Sequence, residues 1–235
     1  MINLSPIQQT FSTYNALQSK KLQSPQKFFV QPDKDVFISS PKISFKGAQD
    51  SDPNSETVAW YDKNAKKYFE ETKDFSMQDK YPLFLKYVPS GGKVLDAGCG
   101  SGRDSKAFAD MGYDVTAIEA SEELAKLAAE HSGVNVVNTT FDKFSSDERF
   151  DGIWACASLL HVPKKDFEKS FINLTDHLKP GGVMYAYLKA GDTEETDAKG
   201  RFFNYVSPDE IKSIISKYND LEIIELPEIQ ENTIR

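Results

Sequence analysis

"KVLDAGCGSGRDS", Lys93–Ser105, is the stretch that decides how this 235-residue chain folds. It begins apolar, ends polar, and places Gly98, Gly100 and Gly102 at the point where a strand over "KVLDAG" hands over to a helix over "RDSKAFADMG". The same alternation continues downstream. "DVTAIEA" reads as a strand and "SEELAKLAAEHSG" as a helix, with Ser121 as its N-cap and Gly133 as its stop. "VNVVN" and "FDGIWACAS" follow as strands, then a helix over "KKDFEKSFINLTDHLKPGG" and a strand over "VMYAYLKA". A capped helix "SPDEIKSIISKYN" and a strand "LEIIELPEI" complete the pattern. Strands that alternate strictly with helices build a mostly parallel sheet with helices on both faces, a doubly wound α/β fold.

Upstream of this core the character changes. Residues 1–52 are rich in Ser, Gln, Lys and Pro and have no sustained period, so they read as a disordered or loosely attached arm, or as a docking segment. Residues 53–235 are expected to form the domain, with a helical segment over 53–90 and the α/β core over 91–235. In the helical segment, Val58, Tyr61, Ala65, Tyr68 and Phe69 recur at helical spacing, and a second helix is expected over "SMQDKYPLFLKYV".

Composition sets the outer limits. With 39% hydrophobic and 27% charged residues the chain reads as an ordinary globular protein. It has no long apolar run and its start does not read as a secretory leader, so the cytoplasm is the expected location. Cys99 and Cys156 stand alone, with no C-x-x-C, so neither a disulfide framework nor a metal cluster is expected. Six Lys against three Asp give residues 1–50 a balance of +3, which leaves −11 for the rest of a chain of net charge −8. Such an acidic body offers little to a phosphate backbone, so a nucleic-acid partner is not expected and a small-molecule substrate is.

In a doubly wound sheet the ligand sits beyond the carboxyl ends of the strands, where the first strand turns into the first helix. The glycines of the opening stretch lie there. They run G-x-G-x-G rather than the dinucleotide pattern G-x-G-x-x-G, and Asp96 precedes them. A carboxylate beside a pyrophosphate would be repelled, whereas it suits an ammonium or sulfonium. Glu119, at the end of the second strand, stands where an acid accepts the two hydroxyls of an unphosphorylated ribose. Together the two carboxylates describe adenosine joined to a cation.

"VLDAGCGSGRDS", "VTAIEAS" and "FDGIWACASLLHVP", in this order, closely resemble the class I S-adenosylmethionine-dependent methyltransferases, and more narrowly small bacterial methyltransferase-domain proteins of the tellurite-resistance type. The resemblance runs from about Thr57 to the C-terminus. It implies a Rossmann-like fold and S-adenosyl-L-methionine as cofactor. Asp96 would hold the methionine portion, Gly98, Gly100 and Gly102 the loop beneath it, and Glu119 the ribose. Phe141 and Asp142 would flank the adenine, although Thr140 stands where many class I enzymes carry the acid. Ala155 and Cys156 would lie near the sulfur, and Tyr61 and Tyr68, seven residues apart on one helical face, would cover the cofactor from the lid. Class I sheets close with an antiparallel seventh strand. This chain stops at "PEIQENTIR", where that strand would begin, so it is expected to be missing, leaving an edge for the arm or a partner to cover.

Methyl transfer is a displacement at a carbon activated by sulfonium, so the protein mainly orients the reactants and excludes water. Where the acceptor carries a proton a base is useful, and His161, just past the fourth strand of the core, is the candidate catalytic residue. Arg201 and Phe202 in "KGRFFNYVS" would contact the substrate. The reading is therefore a methyltransferase acting on a small-molecule acceptor. The competing readings are a noncatalytic nucleotide-binding protein, a nucleic-acid or protein methyltransferase, and an NAD-dependent oxidoreductase.

Overall fold

The computed structural model describes residues 26–32 and 53–225. Its elements are β1 (Gln26–Pro32), α1 (Pro53–Thr72), α2 (Tyr81–Leu85), β2 (Lys93–Ala97), α3 (Arg103–Asp110), β3 (Asp114–Glu119), α4 (Glu122–Ser132), β4 (Asn135–Asn138) and β5 (Phe150–Cys156). A 3-10 turn (Leu159–His161), α5 (Lys164–Thr175), β6 (Leu178–Leu188), β7 (Glu194–Thr196), β8 (Phe202–Asn204), α6 (Pro208–Ile215) and β9 (Leu221–Glu225) follow. Seven strands form one sheet in the order β4-β3-β2-β5-β6-β1-β9, and every pairing within it is parallel. β7 and β8 form a separate antiparallel hairpin.

The expected alternation is present, with two differences. The Lys-Pro-Gly-Gly stretch belongs to the start of β6 rather than to a helix exit, and α2 is a short helix of five residues. The larger difference concerns the seventh strand and the arm. Gln26–Pro32, inside the stretch read as a loose arm, forms a strand between β6 and β9, with Lys27 opposite both Val183 and Glu222. The sheet therefore has its seventh strand, drawn from the other end of the chain and parallel instead of antiparallel. An open β6 edge carries a row of unpaired N–H and C=O groups, and an extended segment with free backbone groups satisfies them from either end of the sequence. The remaining arm residues and the end of "LEIIELPEI" lie outside the described residues.

Side chains alternate across the sheet and give two cores. Leu95, Ala97, Ile153, Ala155, Met184 and Ala186 face Phe167, Phe171 and Ile214 of α5 and α6. Val94, Trp154, Val183 and Tyr185 face Tyr81, Phe84 and Phe108 of α2 and α3, with the Trp154 and Tyr185 rings stacked 4.1 Å apart. Full burial of each Phe in these layers contributes roughly 2 kcal/mol or more. The strand order reverses between β2 and β5, which leaves a crevice at their carboxyl ends.

Candidate functional site

The crevice encloses about 640 Å³, including the solvent at its mouth, within the range of small-molecule sites. One wall comes from the ends of β2, β3 and β4. Gly98 and Gly100 take left-handed backbone angles, φ +80° and +55°, and both N–H groups of Gly98 and Cys99 donate to the Ile118 carbonyl. The Glu119 carboxylate accepts from Gly100 N and from Ser121 N, each at 2.9 Å. Burial pushes its pKa up and these backbone donors oppose the shift, so its orientation is fixed before any ligand arrives. Thr139, Thr140 and Phe141 continue this wall, and Ala157, Ser158 and His161 form the floor.

The opposite wall is α1. Its face carries Thr57, Val58, Tyr61 and Tyr68 into the crevice, with Tyr61 and Tyr68 edge to face at 5.1 Å. Three side chains, making four hydrogen bonds, tie this helix down. Thr57 Oγ1 accepts from Phe202 N at 2.9 Å, Tyr61 Oη meets His161 Nε2 at 2.9 Å, and Asp62 accepts from Ser121 Oγ at 2.6 Å and Glu123 N at 3.2 Å. The other nitrogen of His161, Nδ1, lies 2.6 Å from the Phe202 carbonyl. Burial, reinforced by the charges of Arg201 and Lys189, pushes the imidazole down to about 4, so the ring is neutral at ordinary pH.

Behind the glycine loop sits a buried polar cluster. Asp104, in the first turn of α3, accepts from Tyr81 Oη and Trp154 Nε1, both at 2.8 Å, and pairs bidentately with Arg103. Asp96 accepts from Ser105 Oγ at 2.6 Å. Burial and the neighbouring Asp104 charge raise it well above the ordinary carboxylate range.

Residues 94–182 match the family described as methyltransferase domain. A ubiquinone biosynthesis O-methyltransferase from Xanthomonas axonopodis pv. citri is 34% identical over 116 residues, covering 44% of this chain and 48% of that protein. The chain thus aligns with about half the length of the curated relatives it matches. Among solved structures, the 1,6-didemethyltoxoflavin-N1-methyltransferase of Burkholderia thailandensis, with its substrate and S-adenosylhomocysteine bound, shares the fold at a TM-score of 0.55 and 19% identity. That match covers 77% of this chain and 81% of the other. A TehB-like SAM-dependent methyltransferase from Corynebacterium glutamicum shares it at 0.51 and 18%, over 67% and 82%.

Tyr61, Tyr68, Gly98, Gly100, Glu119, Phe141 and His161 converge on the crevice. Other residues singled out from the sequence stand elsewhere. Asp96 is 2% exposed and sealed under the loop rather than lining the crevice. Gly102 faces α4: a Cβ there would meet the Ala128 carbonyl at 2.9 Å, so its absence serves helix packing and not ligand approach. Ala155 points into the α5 and α6 core and Cys156 into the Trp154 layer, because strand residues alternate faces. The crevice wall begins one residue later, at Ala157, whose φ of +55° turns the chain away from β5.

Asp142 lies off the crevice, held by Thr140 Oγ1 at 2.7 Å and Lys169 at 3.3 Å, which lower its pKa. Phe202 is buried, and its backbone carbonyl and N–H bond His161 and Thr57. Arg201 already donates from both Nε and Nη2 to Asp197 Oδ2, and its guanidinium lies 5.0 Å from the centre of the Trp60 ring. Ser158, which sequence reasoning missed, donates to the Ala97 carbonyl at 2.6 Å and packs where a Cβ on Gly98 would be, at 2.4 Å. Nothing in the local sequence marks that contact, since 61 residues separate Ser158 from Ala97.

Proposed function

We propose that this chain is a cytoplasmic S-adenosylmethionine-dependent methyltransferase acting on a small-molecule acceptor. The observation that carries this reading is Glu119, locked by backbone donors beside the open side of Gly100 and across from Tyr68. This cradle fits an adenosine and a sulfonium. Ribose hydroxyls have a carboxylate acceptor, the adenine has Phe141 and Thr140, and the cation has two tyrosine faces. In this assignment Gly98 and Gly100 form the loop, and Ala157 and Ser158 replace Ala155 and Cys156 beside the sulfur. Asp96 acts from beneath through Ser105 and α3. Residues 53–90 serve as lid and 91–235 as core.

The bound cofactor supplies an activated methyl group. The chain's residues orient it and, with α1 laid over the crevice, keep water away. His161 lines the crevice, and Arg201 and Phe202 act on it through Tyr61 and Thr57. Cytoplasmic placement is supported by two free cysteines and, among the described residues, by the lack of any helix long and apolar enough to cross a membrane.

The test is thermal unfolding with S-adenosylmethionine, S-adenosylhomocysteine and NAD side by side, for the wild type and Glu119→Ala. A ligand at a hundred times its dissociation constant adds about 2.7 kcal/mol. The two adenosyl ligands are expected to stabilise the wild type, NAD is not, and Glu119→Ala is expected to lose the response. Stabilisation by NAD alone would replace this reading with an oxidoreductase. Binding with no S-adenosylhomocysteine released across a wide acceptor panel would favour a noncatalytic binding protein.

A further inference from the structure

We propose that Tyr61, and not His161 itself, is the group that meets the methyl acceptor, and that its hydroxyl passes the acceptor's proton to His161 Nε2. This rests on the methyltransferase reading above and goes beyond it by naming the proton path and the acceptor's chemistry.

The directions of the two His161 hydrogen bonds follow from the partners. The Phe202 carbonyl can only accept, so Nδ1, 2.6 Å away, carries the ring proton. A neutral imidazole has one N–H, so Nε2 presents a lone pair, and Tyr61 Oη, 2.9 Å away, donates to it. Both nitrogens are then engaged. A substrate reaches Nε2 only by displacing Tyr61, whereas Tyr61 already lines the crevice and keeps an oxygen lone pair for a donor.

Burial, Tyr68 and Glu119 all disfavour an ionised Tyr61, and Arg201, clamped by Asp197 and laid over Trp60, only partly offsets them, so the hydroxyl relays the proton without ionising. The groups facing the pair are therefore Arg201 and Asp197 from the β7–β8 turn, Lys189 beyond β6, Tyr68 from α1 itself and Glu119 from β3.

In the step, the acceptor's lone pair forms the bond to the methyl carbon as the electron pair of the C–S bond returns to sulfur. The acceptor's proton goes to Tyr61 Oη while the proton of Tyr61 goes to Nε2. The positive charge lost at sulfur appears on the imidazolium, so no further reactant is needed. Buried near Arg201 and Lys189, that imidazolium does not persist, and the proton returns to solvent as product leaves. The acceptor class that follows is a hydroxyl or N–H group that still holds its proton when it binds.

The experiment uses the full chain, with Tyr61→Phe, His161→Gln and the double variant. Imidazole ¹⁵N spectra of the wild type are expected to show Nδ1 protonated and Nε2 as an acceptor, with Tyr61→Phe moving the Nε2 signal alone. The Nε2-protonated tautomer, or signals that ignore Tyr61→Phe, would overturn the proposal. S-adenosylhomocysteine release is then followed with phenol, catechol and aniline as probes. Each single variant is expected to be about 100-fold slower, to keep the wild-type thermal response to S-adenosylmethionine, and to lose the solvent deuterium effect. The double variant is expected to be no slower than either single, because a relay works as a unit. Multiplying losses, or a Tyr61→Phe enzyme as fast as wild type, would refute it. If no probe is methylated, the nitrogen signals alone decide. A wild type that ignores S-adenosylmethionine would remove the methyltransferase reading, which the tautomer measurement does not touch.

Discussion

The two walls of the crevice are built by different means. The wall at β2 and β3 is made of backbone: N–H groups of Gly100 and Ser121 hold the Glu119 carboxylate, and a buried cluster around Asp104 braces the loop from behind. The wall at α1 is made of side chains that hold one another, Thr57 on Phe202, Tyr61 on His161 and Asp62 on Ser121. Backbone geometry buried over a sheet is fixed when the sheet forms. A helix tied down by a few side-chain bonds can lift when they break.

That contrast can be broken by substitution, and the largest effect is expected behind the loop. Asp104→Ala leaves Arg103 with its charge unpaired and the Tyr81 and Trp154 donors without their acceptor, and should destabilise the domain by about 4 kcal/mol in urea denaturation. A loss below 1 kcal/mol would mean the cluster does not brace this wall. Gly98→Ala is next, at about 3 kcal/mol, because it forces a Cβ to within 2.4 Å of Ser158 at φ +80°. It should also abolish the thermal response to S-adenosylmethionine.

On α1, Thr57→Val removes the acceptor of a buried N–H and is expected to cost about 2 kcal/mol. Hydrogen exchange should quicken in α1 and leave β2 and β3 unchanged; equal quickening in both walls would erase the distinction drawn between them. His161→Gln gives a pH signature. Burial first, then Arg201 and Lys189, holds the folded pKa near 4 against an ordinary 6.5, so between those values the unfolded chain binds the extra proton. The wild type's stability is thus full above pH 6.5 and falls on acidification towards 4. Its advantage over His161→Gln should shrink across that window, and a constant gap would contradict a buried neutral ring. The smallest effect is Asp62→Ala, below about 1 kcal/mol, read as a slight loss of α4 protection at Ser121 and Glu123.

The same contrast separates what the sequence could tell from what it could not. Gly98, Gly100 and Glu119 were legible because strand, turn and helix signals lie within a few residues of them, and one strand spacing joins the loop to the acid. Ser121 as N-cap and Gly133 at φ +71° were legible for the same local reason. Tyr61 and His161 each drew notice, yet their pairing did not, because it spans 100 residues, and Thr57 to Phe202 spans 145. Ala155 and Cys156 were misplaced by a turn at Ala157 that alanine, a residue with no preference for positive φ, does not announce. The strand at Gln26–Pro32 was hidden by a polar neighbourhood.

That strand also sets an order of events during synthesis. β1 leaves the ribosome first, but its neighbours are β6 and β9, more than 140 residues downstream. Until Leu178–Leu188 has been made it has no partner in the sheet, and it is enclosed only once Leu221–Glu225 arrives. The residues that line the crevice, Asn54 to His161, are all made before either event, whereas the bonds from Thr57 and His161 to Phe202 form only after β6 has been followed by β8.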